Sequence, residues 1–347
     1  MKLKQTENDN SAANRRSFLK RGAALAAGTA GAALMSGKLA LAQSASVANI
    51  TSGDVAILQF LAWAELIESD LWNQYAVLAT NNSQYNNALS VIDPNARQYS
   101  DETTRDENSH WELINQFLVS VGAQPVDIER FRVLPSPNVV GANPFPNLTN
   151  LTNLVVDTSW YVRYRSAASP DFGATFPQFV NLNNVPALLT SNSLSDLQAL
   201  GVAATAFFHF CQIEQGGASL YPTLAQQVSN VEVLRILLSI GPVEMFHYAV
   251  FEGSLEALPA INVDGLHFPD IKDNPALGAN IMPKPCDFLS QKFPRCSVVR
   301  PTSTANSGAV AAVTALTNSG LFIGQNKEFF NVAMALAKAA DAATRAF

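Results

Sequence analysis

Four histidines and thirteen glutamates are spread over 347 residues, yet two of the histidines follow a glutamate by three positions, at Glu107–His110 and Glu244–His247. Random placement would give only about 0.15 such pairs, so the spacing is a signal worth pursuing. On a helix, residues three apart project from one face, and each pair can offer a carboxylate and an imidazole to one metal ion. The second pair lies in Ser239-Ile240-Gly241-Pro242-Val243-Glu244-Met245-Phe246-His247, where Gly241-Pro242 is expected to disturb the helical ladder just before the donors. Nucleophilic catalysis has little support. The chain holds no Gly-x-Ser-x-Gly elbow, no phosphate-cradling glycine loop and no Cys/His zinc spacing.

Four segments have the apolar period and length of long helices that could carry these donors. The first, Asp54 to Ala79, opens at a Ser52-Gly53-Asp54 cap and aligns Leu58, Leu61, Glu65 and Trp72. Glu68 leans to the same side, as a supporting group or an exposed one. The second, Ser100 to Val121, aligns Thr103, Glu107, His110, Ile114 and Phe117 and stops at Gly122. The third, Leu194 to Tyr221, aligns Ala203, Phe207, Phe210 and Glu214. The fourth, Val231 to Leu258, aligns Leu237, Ile240, Glu244, His247 and Phe251. A carboxylate thus interrupts each apolar face. The first and third segments contain no arginine, so buried carboxylates there need another counterion, and a metal ion is the natural one. His209 lies off the Glu214 face and reads as core or surface, His267 as a loop residue, and Tyr75, Tyr221 and Tyr248 as packing aromatics or as redox-active groups near the site.

Residues 123–193, rich in Pro and Asn, separate the second and third helices. A connection of that length lets those two helices run in the same direction, whereas short loops force antiparallel neighbours. Its aromatics, among them Trp160, Tyr161 and Phe179, are expected to pack on the bundle. After Leu258 the chain is Pro-rich up to Pro301. It ends in an Ala-rich helical stretch, Gly308 to Phe347, broken near Gly320 and Gly324. That stretch is expected to be either a fifth helix covering the bundle or a contact in a homo-oligomer.

In chain order the inward donors are Glu65; Glu107 with His110; Glu214; and Glu244 with His247. This series resembles the ferritin-like superfamily, where two helices give one Glu each and two give Glu-x-x-His. More narrowly it resembles exported bacterial ferritin-like domain proteins, including those called desiccation-related. The likeness covers about residues 54–258. Leu61-Ala62-Trp63-Ala64-Glu65-Leu66-Ile67-Glu68 resembles the group's first helix, and Ile213-Glu214 followed by Tyr221 its third. The resemblance implies an all-α, ferritin-like four-helix bundle over residues 43–258, including the crossover insertion 123–193, with a C-terminal extension over 259–347. It also implies two metal ions, Fe or Mn, bridged by Glu107 and Glu244, with Glu65 and Glu214 as terminal ligands and one histidine on each ion. Mixed N/O donors suit Fe or Mn better than a closed zinc site. The implied partner is a small-molecule oxidant, peroxide or O2, or Fe(II) itself. A non-enzymatic stress or partner-binding protein on the same scaffold is the alternative, and the large insertions are expected to obstruct a ferritin-type cage.

Asn14-Arg15-Arg16-Ser17-Phe18-Leu19-Lys20, the apolar run Gly22 to Met35 and Ala40-Leu41-Ala42 resemble a twin-arginine export signal over residues 1–42. A periplasmic or secreted location follows from that resemblance, as does delivery in folded form with metal already loaded. Cleavage removes seven Lys/Arg and two Asp/Glu from the chain's 22 and 28, leaving 15 and 26 and a net charge of −11. So acidic a protein is a poor partner for nucleic acid or anionic lipid. No later stretch is expected to approach a membrane span, so no stable membrane insertion is expected after cleavage. Cys286 and Cys296 share one Pro-rich loop and an oxidising compartment would permit a bridge, while Cys211, amid phenylalanines, reads as a buried thiol.

Overall fold

The computed structural model describes residues 50–164, 177–271, 284–298 and 307–346, so the leader expected over 1–42 lies outside the described residues. Eight α-helices and four short strands are found among them. The first helix, α1, spans Ser52–Asn81. Thr51 caps it reciprocally with Asp54, whose other oxygen accepts from the backbone of Ser229 and Asn230 and so ties the start of α1 to a later loop. The second bundle helix is not next in line. A short helix α2, Ser83–Ile92, intervenes, with Tyr85, Ala88, Leu89 and Ile92 buried at helical spacing, and α3 then runs Ala96–Ser120 and ends at Gly122 with φ +76°.

The crossover holds an antiparallel strand pair, β1 Leu154–Val156 and β2 Leu182–Val185, around a short helix α4, Ser159–Tyr164. As expected, it packs on the bundle, with Trp160 lying 5.7 Å from both Phe208 and Tyr248 and Tyr161 stacked on Phe179. Asp70, buried in α1, anchors it more firmly. One carboxylate oxygen accepts from the Thr149 amide (2.9 Å), the Thr149 hydroxyl (2.6 Å) and Gln74, and the other from Arg132. Burial raises its pKa despite those donors. Asp70→Ala would remove one partner of Arg132, which keeps its pairing with Glu129, and would leave the two Thr149 donors unpaired. The expected loss is about 1–3 kcal/mol, read as a denaturant midpoint shift without a matching change in slope.

Helix α5, Asp196–Ala225, opens on a Ser195/Gln198 capping box, and α6 follows over Val231–Ser254. Contacts between named pairs fix the directions. Gln59 reaches the Gln124 carbonyl while Glu65 meets His110, so α1 and α3 are antiparallel. Tyr75 meets His209 while Tyr221 meets Glu65, so α1 and α5 are antiparallel as well. Helices α3 and α5 therefore run the same way, the consequence that a long crossover predicts. Helix α6 continues through Gly241-Pro242 as one helix, and the disturbance expected there is confined to a single lost bond. The Leu238 carbonyl that loses its donor to Pro242 lies on a solvent-facing residue, where water can take the place of the missing N–H.

The expectation that no later stretch approaches a membrane span is corrected. Val231–Ala257 is long and apolar enough to cross a membrane by length and composition. Its inward face nevertheless buries Glu244, His247 and Glu252 against the bundle, which is core-helix behaviour. After α6 comes a hairpin, β3 Ile261–Val263 and β4 Leu266–Phe268, turned by Asp264-Gly265 with both φ angles positive. His267 therefore lies in a strand rather than a loop, bonded to Asn262 at 2.7 Å. The extension forms α7, Ala309–Asn318, and α8, Lys327–Asp341, separated where Gly320 and Gly324 take positive φ. Phe322 and Phe329 pack on Trp63 of α1, so this segment covers the outer face of the first helix.

Candidate metal centre

All six sequence-selected residues converge in the bundle interior. Glu65 comes from α1, Glu107 and His110 from α3, Glu214 from α5, and Glu244 and His247 from α6. The four carboxylates are 0–2% exposed and the two histidines 6–7%, so the centre meets solvent on its imidazole side. The donors gather in two groups. Glu65, Glu107, His110 and Glu244 form one, and Glu107, Glu214 and His247 the other, with the donor atoms of each group within 4.8 Å of one another. Glu107 belongs to both. Glu244, which the resemblance makes a second bridge, joins the first group only.

Contacts within the groups show why protons alone satisfy them poorly. His110 Nδ1 faces Glu107 Oε2 at 3.1 Å, Glu65 Oε2 at 3.2 Å and Glu244 Oε1 at 3.5 Å. His247 Nδ1 faces Glu107 Oε1 at 3.1 Å and Glu214 Oε2 at 3.2 Å. One ring nitrogen carries at most one proton and cannot donate to two or three oxygens at once. Glu107 Oε1, Glu214 Oε1 and both oxygens of Glu244 are buried without a hydrogen bond of proper alignment. Orphaned anionic oxygens around two imidazole nitrogens are what a pair of divalent cations would satisfy, so the donor set fits metal.

The electrostatics agree. Burial, with the negative charge of Glu65, pushes Glu107 up to about 7 against the pull of both histidines. Burial together with the charges of Glu107 and Glu68 lifts Glu244 well above the carboxylate range, and burial raises Glu214. Burial is the largest influence on Glu65 and would raise it, but the hydrogen bond and charge of His110, with the hydrogen bonds of Glu107 and Tyr221, together outweigh it and hold that group low. For the imidazoles burial acts in the opposite sense and is overcome. Hydrogen bonds to Glu107 and Glu65 raise His110 to about 10, and Glu214, Asp106 and Glu107 raise His247 further.

The surroundings contain three groups that the sequence reading placed elsewhere or left open. Tyr221, read as a packing aromatic or a group near the site, donates its hydroxyl to Glu65 Oε1. Glu68 feels Glu107, Glu65 and Glu214, and its buried Oε2 finds no hydrogen-bond partner, which makes it a fifth inward carboxylate. Asp106, not singled out at all, accepts from His247 Nε2 at 3.0 Å. That bond fixes the ring so that Nδ1 faces the carboxylates. Its only sequence signal is adjacency to Glu107.

Small residues make the approach of α5 and α6 possible. A Cβ on Gly217 would collide with Glu244 Oε2, and one on Gly241 would lie 2.7 Å from Tyr221 Cβ. Below the site, Trp72 packs on Phe210 at 4.7 Å and Phe251 at 5.1 Å, sealing that end with rings. Further along, Tyr75 bonds His209 Nδ1 at 2.8 Å. Burial holds His209 down at about 3, so it is a neutral core histidine, and it belongs to neither donor group.

No curated protein and no solved structure matches the chain. The sequence profile of one family does, over residues 53–257, which is more than half of the chain and contains all six donors. With the all-α bundle and its buried Glu/His centre, that match places the chain in the ferritin-like domain family.

Proposed function

We propose that the protein is an exported redox protein that holds a carboxylate-bridged pair of Fe or Mn ions and acts on peroxide, O2 or Fe(II). The observation that carries this reading is Glu107, shared by two buried donor groups that each contain a histidine. Glu65, Glu107, His110 and Glu244 would hold one ion, and Glu107, Glu214 and His247 the other. Bound Fe or Mn would supply exchange between divalent and trivalent states. The chain's own groups do the rest. Tyr221 fixes one oxygen of Glu65, Asp106 fixes the His247 tautomer, and the Trp72 layer excludes water from below. A small oxidant would arrive from the imidazole side, the part of the centre with solvent exposure.

Elemental analysis of protein reconstituted with Fe(II) or Mn(II) tests the reading, with about two ions per chain expected. Fewer than about one would overturn it. A loaded protein that consumes neither peroxide nor Fe(II) would keep the site but remove the redox role. Asp106→Ala, at a half-exposed position, is expected to leave the fold intact and weaken metal binding by about 10–100-fold in competition with a chelator. Export predicts a mature N-terminus just after Ala42, checked by sequencing protein recovered from the periplasm or medium.

A further inference from the structure

We propose that Cys286 and Cys296 form a redox-active dithiol that closes to an intramolecular disulfide. The two residues face each other across an isolated antiparallel bridge. Cys286 N–H donates to the Cys296 carbonyl at 2.9 Å, and Cys296 N–H returns the bond to the Cys286 carbonyl at 3.2 Å. Residues paired reciprocally in this way project their side chains to the same side with Cα atoms about 5.5 Å apart. That separation falls within the range of roughly 4.4–6.8 Å found across disulfides, and the Cβ atoms of such a hydrogen-bonded pair, about 5.5 Å apart, must draw in by about 1 Å for the bond to close. A second contact holds the register, because the adjacent residues Asp287 and Arg295 form an ion pair at 3.4 Å. Farther round the turn, Ser290 N–H donates to the Phe288 carbonyl and Phe293 N–H to the Ser290 carbonyl.

The surroundings make a covalent tie useful. Cys286 is buried, whereas Leu289 and Phe293 are 83% and 58% exposed and nearly every other residue of the stretch faces solvent. A turn that buries so little apolar surface has little besides its few backbone bonds to offset the entropy of ordering it. Exposure also sets the order of events. Cys296 is exposed and meets an oxidant first. With a small-molecule disulfide such as oxidised glutathione, the Cys296 thiolate attacks one sulfur and expels one glutathione thiolate. The Cys286 thiolate then attacks the Cys296 sulfur and expels the second. Two protein thiols become one disulfide, one glutathione disulfide becomes two thiols, and the two protons pass to the departing glutathiones. No metal enters this step, so its outcome is independent of the metal reading.

Cys211, buried in α5, provides an internal standard as the third cysteine of the chain. The full chain is equilibrated with oxidised glutathione, quenched in acid, unfolded, alkylated with N-ethylmaleimide and weighed before and after reduction. One alkylation is expected before reduction and three after, with peptide mapping linking Cys286 to Cys296. Cys286→Ser should trap glutathione on Cys296. Trypsin cleavage after Lys292 should give fragments that separate only when reduced. Three alkylations before reduction, a glutathione retained on Cys296 in the parent, or a bridge to Cys211 would overturn the proposal.

Discussion

Glu107→Gln lowers bound metal from about two ions per chain to fewer than one, while making the metal-free protein more stable than its parent. Both effects come from one position. Glu107 is fully buried and is the residue common to both donor groups, so a neutral amide there weakens both ion positions together. In the parent without metal, ionising Glu107 at pH 8 must occur beside Glu65 and Glu214 in a site that burial makes hostile to charge. The rise of its pKa to about 7 corresponds to about 3 kcal/mol of cost, which the isosteric amide avoids. Metal acts in the opposite direction. At free metal about a thousand-fold above Kd, binding adds about 4 kcal/mol to the parent. Thermal melts with and without Mn(II) should therefore cross over, the variant melting higher than the parent in chelator and lower in metal. A variant that is less stable in both conditions would mean that Glu107 serves the fold and not an ion.

Much of this arrangement is legible in the sequence because helical period and ligand spacing report on the same faces. Glu65, Glu107, His110, Glu214, Glu244 and His247 each interrupt an apolar stripe, and a stripe shows which side of a helix is buried. The parallel course of α3 and α5 follows from the length of the crossover. What escapes is set by contacts between distant parts of the chain. Asp106 sits on the flank of α3, half in solvent, and its role depends on His247, 141 residues away. Tyr221 looks like any core aromatic until Glu65 lies against its hydroxyl. Helix α2 has a clear apolar spacing, but its ten residues fit within what reads as a connection between longer helices. Gly241-Pro242 disturbs its helix only locally. A proline costs a helix one donor, and here the orphaned carbonyl belongs to an exposed residue.

The metal-free protein is expected to lose stability as pH rises from about 4.5 to 10, the opposite of the usual response of carboxylate-rich proteins to leaving acid. Glu107 moves from an ordinary 4.5 to about 7 on folding, so between those values the folded state holds a proton that the unfolded state has released. Stability falls with pH wherever the folded state binds more protons. Glu214 and Glu244, also raised, act in the same sense. His110 continues the trend, since its ordinary 6.5 becomes about 10, and its contribution, complete below 6.5, is lost as pH climbs through the higher value. Glu65 and Asp106 are held below the ordinary range, so what they add is present above about 4 and disappears in stronger acid. The maximum should therefore lie near pH 5. Glu107 alone accounts for about 3 kcal/mol of decline, most of it between pH 4.5 and 7, and the other raised groups deepen the fall toward pH 10. For a chain of this size the Glu107 share is about 6–10 °C in Tm. Loading with Mn(II) should reverse the slope up to about pH 8, because an ion competes with the protons on these carboxylates and imidazoles and binds more tightly as they leave. If the chelated protein instead gains stability between pH 5 and 8, the carboxylates are not crowded in the folded state and the proposed centre loses its electrostatic basis.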